Sequence, residues 1–261
     1  MRVPIFQLDA FTTRRCAGNA ASVVLLERFP DDGLLGAIAA ENNLSETAFL
    51  VPDRARYRLR WFTPTVEVPL CGHATLASAA VVMERLEPGR RRVVFESLSG
   101  RLTVRRMGSH YVMDFPARPS QLIATPAGLA NALGAVPVDV VANEFNYMVL
   151  LDNAQVVRDL APDLAAIARF ETSGVIVTAA GEAPYDFVSR YFAPAKGVPE
   201  DPVTGAAHCM LAPYWAQRLA KTSLRGFQAS RRGGEVRCRL DGGRVELCGE
   251  CAFYLEGTAE I

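Results

Sequence analysis

The sequence predicts an α+β protein of two similar domains, each an antiparallel, barrel-like β-sheet around a central α-helix. Three observations point there. One design occurs twice, a turn, a glycine and then small residues entering an apolar helix: Pro69-Leu70-Cys71-Gly72-His73-Ala74 in the first half and Glu200-Asp201-Pro202-Val203-Thr204-Gly205-Ala206-Ala207-His208 in the second. Short strand-like runs surround each; Tyr57, Leu59 and Trp61 alternate with Arg56, Arg58 and Arg60, burying one face and wetting the other as antiparallel strands do. Leu76 to Met83 is apolar nearly all round, as a helix wrapped by a sheet must be.

The elements follow in order. The opening strand ends at Asp9, the turn Thr12 to Gly18 follows, and a helix is expected from about Asn19 with Val23, Val24 and Leu26 inward. Asp31 and Asp32 can cap a second helix carrying Leu34, Leu35 and Ile38, and Glu46 to Val51 reads as a strand. The Gly72 helix ends near Arg85 before Pro88-Gly89, and strands follow near 92–96, 101–106 and 111–115. Two prolines three apart in Pro116-Ala117-Arg118-Pro119 cannot continue a helix or a central strand, so the boundary is placed there, giving domains 1–116 and 120–261. The last strand is a candidate for return to the first domain. In the second half a short helix follows Thr125-Pro126, strands lie near 138–141 and 147–151, and a helix is expected from Pro162 to Phe170. Strands near 175–178 and 187–192 precede the Gly205 helix, and four more follow near 222–229, 235–240, 244–248 and 253–256.

Composition limits the partners. The chain has 261 residues, with 28 Lys and Arg against 28 Asp and Glu. Without a net field it has no means of concentrating nucleic acid or an anionic membrane, which leaves a small molecule or another protein. No run approaches the roughly 20 apolar residues of a membrane helix. Asp9 stands where a signal peptide would be apolar, so a cytoplasmic location is the expectation. Six scattered cysteines (16, 71, 209, 238, 248 and 251) read as reduced, buried thiols rather than a disulfide framework.

The chemistry concentrates at the two helix starts. Free N–H groups and the helix dipole attract anions there, and Gly205-Ala206-Ala207 has no side chain large enough to hide them; Thr204 can cap the first turn. Glu46, between Leu44 and Ala48-Phe49-Leu50, reads either as a solvent-facing strand start or as a partly desolvated carboxylate suited to general-base work on carbon acids. Asp201 is either its partner carboxylate or a cap. His73 reads either as a helix-start residue that the dipole keeps neutral, able to exchange a hydrogen bond with substrate, or as a satisfied packing residue, and His208 reads as packing. Cys71 is either a small buried hydrophobe or an activated thiol. Cys248-Gly249-Glu250-Cys251 is a lone CxxC without the second pair or histidine spacing that zinc requires, so no metal is expected.

Taken together, Asp9-Ala10-Phe11-Thr12 with Gly18-Asn19-Ala20, Asn43-Leu44-Ser45-Glu46-Thr47-Ala48-Phe49, Trp61-Phe62-Thr63-Pro64 with Pro69 to Thr75, and Glu200 to Gly205 resemble the PhzF-like family, relatives of diaminopimelate epimerase and proline racemase. Order and spacing hold over nearly the whole chain. The resemblance implies the diaminopimelate epimerase-like fold, a site between the domains, a homodimer, and an isomerase that moves a proton between carbons of a small carboxylate-bearing substrate without a cofactor. It assigns the catalytic roles to Glu46, His73 and Asp201. Substrate binding falls to Gly18, Asn19, Gly72, His73, Thr204, Gly205 and Ala206. In related epimerases two cysteines are the bases; here Gly72 and Asp201 stand at those points, and Cys71 is a neighbour. A racemase or epimerase using Cys71, and a metabolite-binding protein without turnover, are the alternatives. One residue departs from the family pattern: Ala206 replaces a Ser, removing a hydrogen bond of about 0.5–1.5 kcal/mol.

Overall fold

The computed structural model describes residues 1–261. The chain forms two compact units, Met1–Asp114 with Cys248–Ile261, and Phe115–Leu247.

In the first unit β1 (Arg2–Ala10) pairs antiparallel with β2 (Asn19–Leu25), placing Ala10 opposite Asn19 and Ile5 opposite Val24. α1 (Asp32–Asn42) is capped by Asp31, whose carboxylate accepts the Leu34 N–H at 3.0 Å. It carries the chain to β3 (Glu46–Asp53), which pairs parallel with β2, and β4 (Arg56–Phe62) returns antiparallel to β3. The alternation in β4 is as expected: Tyr57, Leu59 and Trp61 are buried, while Arg58 and Arg60 stack their guanidinium groups over Phe29. The short β5 (Glu67–Val68) precedes α2 (Gly72–Val81), in which every residue after Gly72 is buried. Alanines at 74, 77, 79 and 80 let β1, β2 and β3 pack close against it, and Ser78 satisfies its hydroxyl on the Ala74 carbonyl at 2.7 Å. A π-helical turn, Val82–Leu86, ends this helix, and β6 (Arg92–Ser97), β7 (Gly100–Met107) and β8 (His110–Pro116) follow as an antiparallel run, with β6 parallel to β4.

In the second unit β9 (Gln121–Leu122), α3 (Leu129–Leu133), β10 (Asp139–Ala142) and β11 (Asn146–Leu150) lead to two short helices, α4 (Ala154–Asp159) and α5 (Leu164–Ile167). β12 (Gly174–Ala180) lies parallel to β11, and β13 (Phe187–Phe192) antiparallel to β12. α6 (Gly205–Leu219) then crosses to β14 (Ser223–Gln228), parallel to β13, followed by β15 (Gly234–Asp241) and β16 (Arg244–Gly249). The final strand, β17 (Cys251–Glu260), pairs with β1 and so belongs to the first unit.

Both units therefore repeat one pairing scheme: antiparallel, parallel, antiparallel, parallel, antiparallel. Antiparallel pairs predominate, but the sheets are mixed, because each helical crossover brings the chain back in the same direction. α1 and α2 make the two crossovers of the first unit, and α4 with α5, then α6, those of the second.

Three local expectations are corrected. The helix expected from Asn19 is β2: held between β1 and β3, it is buried on both faces, and such a continuous apolar run has no period to separate it from a buried helix. The β-branched pair Val23-Val24 favours the strand. The helix expected over 162–170 is only α5, capped by Asp163; Arg169 and Phe170 donate three residues back, which tightens and closes the turn. The cysteines are free thiols, but only Cys71, Cys209 and Cys238 are buried; Cys16 is exposed, and Cys248 and Cys251 are partly buried.

Pro213 sits inside α6. Lacking an N–H, it cannot serve the Cys209 carbonyl four residues back. The Arg118 N–H donates to that carbonyl at 2.8 Å, and the Ala117 N–H to the Gly243 carbonyl at 2.8 Å, so Pro116–Pro119 is a pinned segment rather than a loose linker.

Candidate functional site

In the first unit the turn between β1 and β2 fixes Asn19. Gly18 has φ +59°, and a Cβ there would stand 2.2 Å from the Ala10 carbonyl oxygen, so only glycine fits. The Asp9 carboxylate accepts the Cys16 N–H at 2.7 Å, closing the same turn. Asn19 is wholly buried and its amide nitrogen lies 3.2 Å from His73 Nδ1. Glu46 opens β3 opposite Ala21, two residues along β2 from Asn19. The Asn42 amide donates to Ser22 and Thr47, tying the end of α1 to both strands at this point.

His73 is 5% exposed, and its Nε2 stands 3.2 Å from Glu46 Oε2. Burial drives its pKa down to about 3, with a hydrogen bond to the Ala20 backbone only partly opposing, so the ring is neutral near pH 7. The contact with Glu46 is therefore not an ion pair. The 3.2 Å separation is within reach of a shared proton. The Cys71 thiol, buried at the N-cap of α2, lies 3.4 Å from His73 Nδ1. No side chain caps this helix start, so its first-turn N–H groups have no side-chain acceptor. Glu46, Cys71 and His73 bring ligand atoms within 4.8 Å of one another, a set able to hold a metal ion. The sequence reading looked for metal ligands only at the CxxC; this set draws on β3 and α2, which the chain separates.

In the second unit Thr204 is the N-cap residue of α6, but its hydroxyl does not cap the helix as expected; it donates to Asp201 Oδ2 at 2.6 Å. The reason is Gln228, wholly buried at the end of β14. Its Oε1 accepts the Thr204 N–H at 2.8 Å, and its Nε2 donates to the Asp201 carbonyl at 2.7 Å and reaches Thr204 Oγ1 at 3.1 Å. This lock turns the hydroxyl toward Asp201 and leaves the start at Gly205 and the exposed Ala206 without a side-chain cap. Glu200 is held away by bidentate pairing with Arg190, at 2.7 and 3.0 Å. Burial, with the Asp201 charge adding and the Arg118 guanidinium opposing, pushes the Tyr191 hydroxyl up to about 12. It therefore acts as a donor, to Asn146 Oδ1 at 3.2 Å. His208 is packing, as expected, with Nδ1 2.8 Å from the Thr204 carbonyl and its ring near Phe187.

Sequence reasoning missed Gln228 and Asn42. Neither has a local signature, since a glutamine at a strand end and an asparagine at a helix end are ordinary surface residues.

A carboxylate and a buried imidazole thus meet beside an uncapped helix start, on an α+β scaffold that repeats its pairing scheme. The chain matches the PhzC-PhzF family model, described as phenazine biosynthesis-like protein, over residues 8–260, and it belongs to that family. A Pseudomonas aeruginosa protein named as an uncharacterized isomerase is 50% identical over 261 residues, the full length of both chains. The crystal structure of a PhzF-family protein from Enterococcus faecalis, 38% identical, superposes with a TM-score of 0.97 over all of both chains. A probable proline racemase from Agrobacterium radiobacter, 12% identical, shares the fold at a TM-score of 0.62 over 99% of this chain and 92% of its own.

Proposed function

We propose that this isomerase of the PhzF family moves a proton between carbons of a small carboxylate-bearing substrate without a cofactor, Glu46 taking the proton and returning it elsewhere. The observation that carries the reading is the 3.2 Å contact between Glu46 Oε2 and the buried, neutral His73 Nε2. A neutral imidazole can hydrogen-bond the base in either state, donating to the carboxylate or accepting from the carboxyl, so it can steady Glu46 before and after the proton is taken. The uncapped N–H groups beginning at Gly72 are suited to the substrate carboxylate, where they would stabilise the charge that builds as the adjacent carbon is deprotonated. Gly18 and Asn19 keep His73 in place. Asp201 is the second carboxylate of the reaction, oriented by Thr204, and Gly205 and Ala206 supply further N–H donors. The resemblance to the family supports a homodimer as the working form.

The test is deuterium incorporation from D2O into small carboxylates by the native protein and by Glu46→Gln. Removal of a positioned base costs on the order of 10²–10⁴ in rate, with binding nearly intact. A Glu46→Gln protein that exchanges at the native rate would falsify the assignment. A thiol-assisted reading has one observation in its favour, the 3.4 Å between Cys71 and His73 Nδ1. It requires Cys71→Ala to lose exchange as fully as Glu46→Gln does.

A further inference from the structure

Arg118 is held at its backbone and unoccupied at its head. Its N–H closes the gap that Pro213 leaves in α6, which fixes where the side chain begins. The guanidinium lies over the face of Phe145, 4.2 Å from the ring centroid. It donates to no carboxylate and no carbonyl, unlike Arg190 or Arg225, whose charges are taken up by Glu200 and Glu235. Contact with the ring face restricts the guanidinium, and its unused N–H donors suit a carboxylate.

It lies in an open groove. Arg118, Gln121, Asn143 and Phe145 line a groove of about 750 Å³, within the range of small-molecule sites, and Glu144 stands exposed at its rim. Asn143 is oriented by its own oxygen, which accepts the Phe145 and Asn146 N–H groups at 2.9 Å each; its Nδ2 is left without a partner. The Arg118 guanidinium is thus a donor in this wall without an acceptor, while Asn143 Nδ2 is buried behind it. A chain of bonds runs from this wall to the Asp201 segment: the Asn146 N–H donates to Asn143 Oδ1, the Tyr191 hydroxyl to Asn146 Oδ1 at 3.2 Å, and the Asp201 N–H to the Tyr191 carbonyl at 3.0 Å.

We propose that Arg118 is a specificity-determining residue that takes a second carboxylate of the substrate, so that the protein acts on dicarboxylates rather than on simple monocarboxylic acids. The inference rests on the isomerase reading for what the ligand is, and it is tested by binding alone. Glutarate and valerate share a five-carbon chain and differ in one carboxylate. Titration calorimetry at matched ionic strength is expected to give glutarate roughly tenfold tighter binding than valerate, the gain of one charge-assisted pair. Arg118→Gln should abolish that preference without altering valerate binding, and Arg118→Lys should retain part of it, keeping the charge but not the fork. Glu46→Gln should leave the preference unchanged. Equal affinities in the native protein, an undiminished preference in Arg118→Gln, or no binding of either acid at millimolar concentration overturns the proposal. Deuterium exchange that depends on Glu46 while the preference is absent would discard the second-carboxylate site and leave the proton-transfer reading standing.

Discussion

The two buried histidines set the acid limit of this fold. The Thr204 carbonyl can only accept, so His208 carries its proton on Nδ1, and its Nε2 is a bare lone pair, buried without a partner. Burial lowers the pKa of His208 to about 4 and that of His73 to about 3, from an unfolded value of 6.5. Below pH 6.5 the unfolded chain binds two protons that the native protein refuses. Stability therefore falls as pH falls, from about 6.5 down to each native pKa. Each histidine contributes a slope that approaches ~1.4 kcal/mol per pH unit, so between pH 7 and 5 the pair removes ~4 kcal/mol, a large part of the 5–15 kcal/mol typical of a folded protein. Urea unfolding followed by tryptophan fluorescence from about pH 7 to 5 reads the slope above the ordinary carboxylate range. His208→Gln, whose amide can still donate to the Thr204 carbonyl, should halve it. An unchanged slope in that variant, or a flat native profile, refutes the reasoning.

Gly18→Ala should destabilise the protein by more than the ~1–2 kcal/mol of a left-handed residue, because the Cβ meets backbone at 2.2 Å; its urea midpoint checks this. Gln228→Leu leaves the Thr204 N–H without its acceptor, and a loss of ~1–3 kcal/mol together with reduced exchange activity is expected. Native-like turnover in that variant would show that the Asp201–Thr204 lock has no bearing on the reaction. Ala206→Ser offers a hydroxyl at an exposed first-turn position and should lower KM by roughly 2–10-fold, the worth of about 0.5–1.5 kcal/mol; a higher KM would mean that the pocket has adapted to alanine.

Much of this was legible locally. The Arg–apolar alternation of β4, the Asp31 cap and the glycine starts of α2 and α6 are signals carried by adjacent residues, and the structure has them where the sequence puts them. What was lost is non-local. The strand β2 is defined by its two neighbours, not by its own period, and the parallel pairings depend on where a crossover lands. The same holds at the site. Glu46 and His73 could be named from their motifs, but their contact, the Asn19 amide 54 residues from His73, and the reach of Gln228 back over 24 residues to Thr204 exist only after folding.

Pro213 gives the segment before it an unusual property. Most connections between elements tolerate added or deleted residues, since little depends on their length. Here the helix keeps one carbonyl open, and a single backbone amide, that of Arg118, fits it. The segment works as a latch whose length is gauged against α6. A one-residue insertion next to Arg118 would carry its guanidinium off Phe145 even with every side chain of the groove intact, so this stretch should vary in composition far more freely than in length.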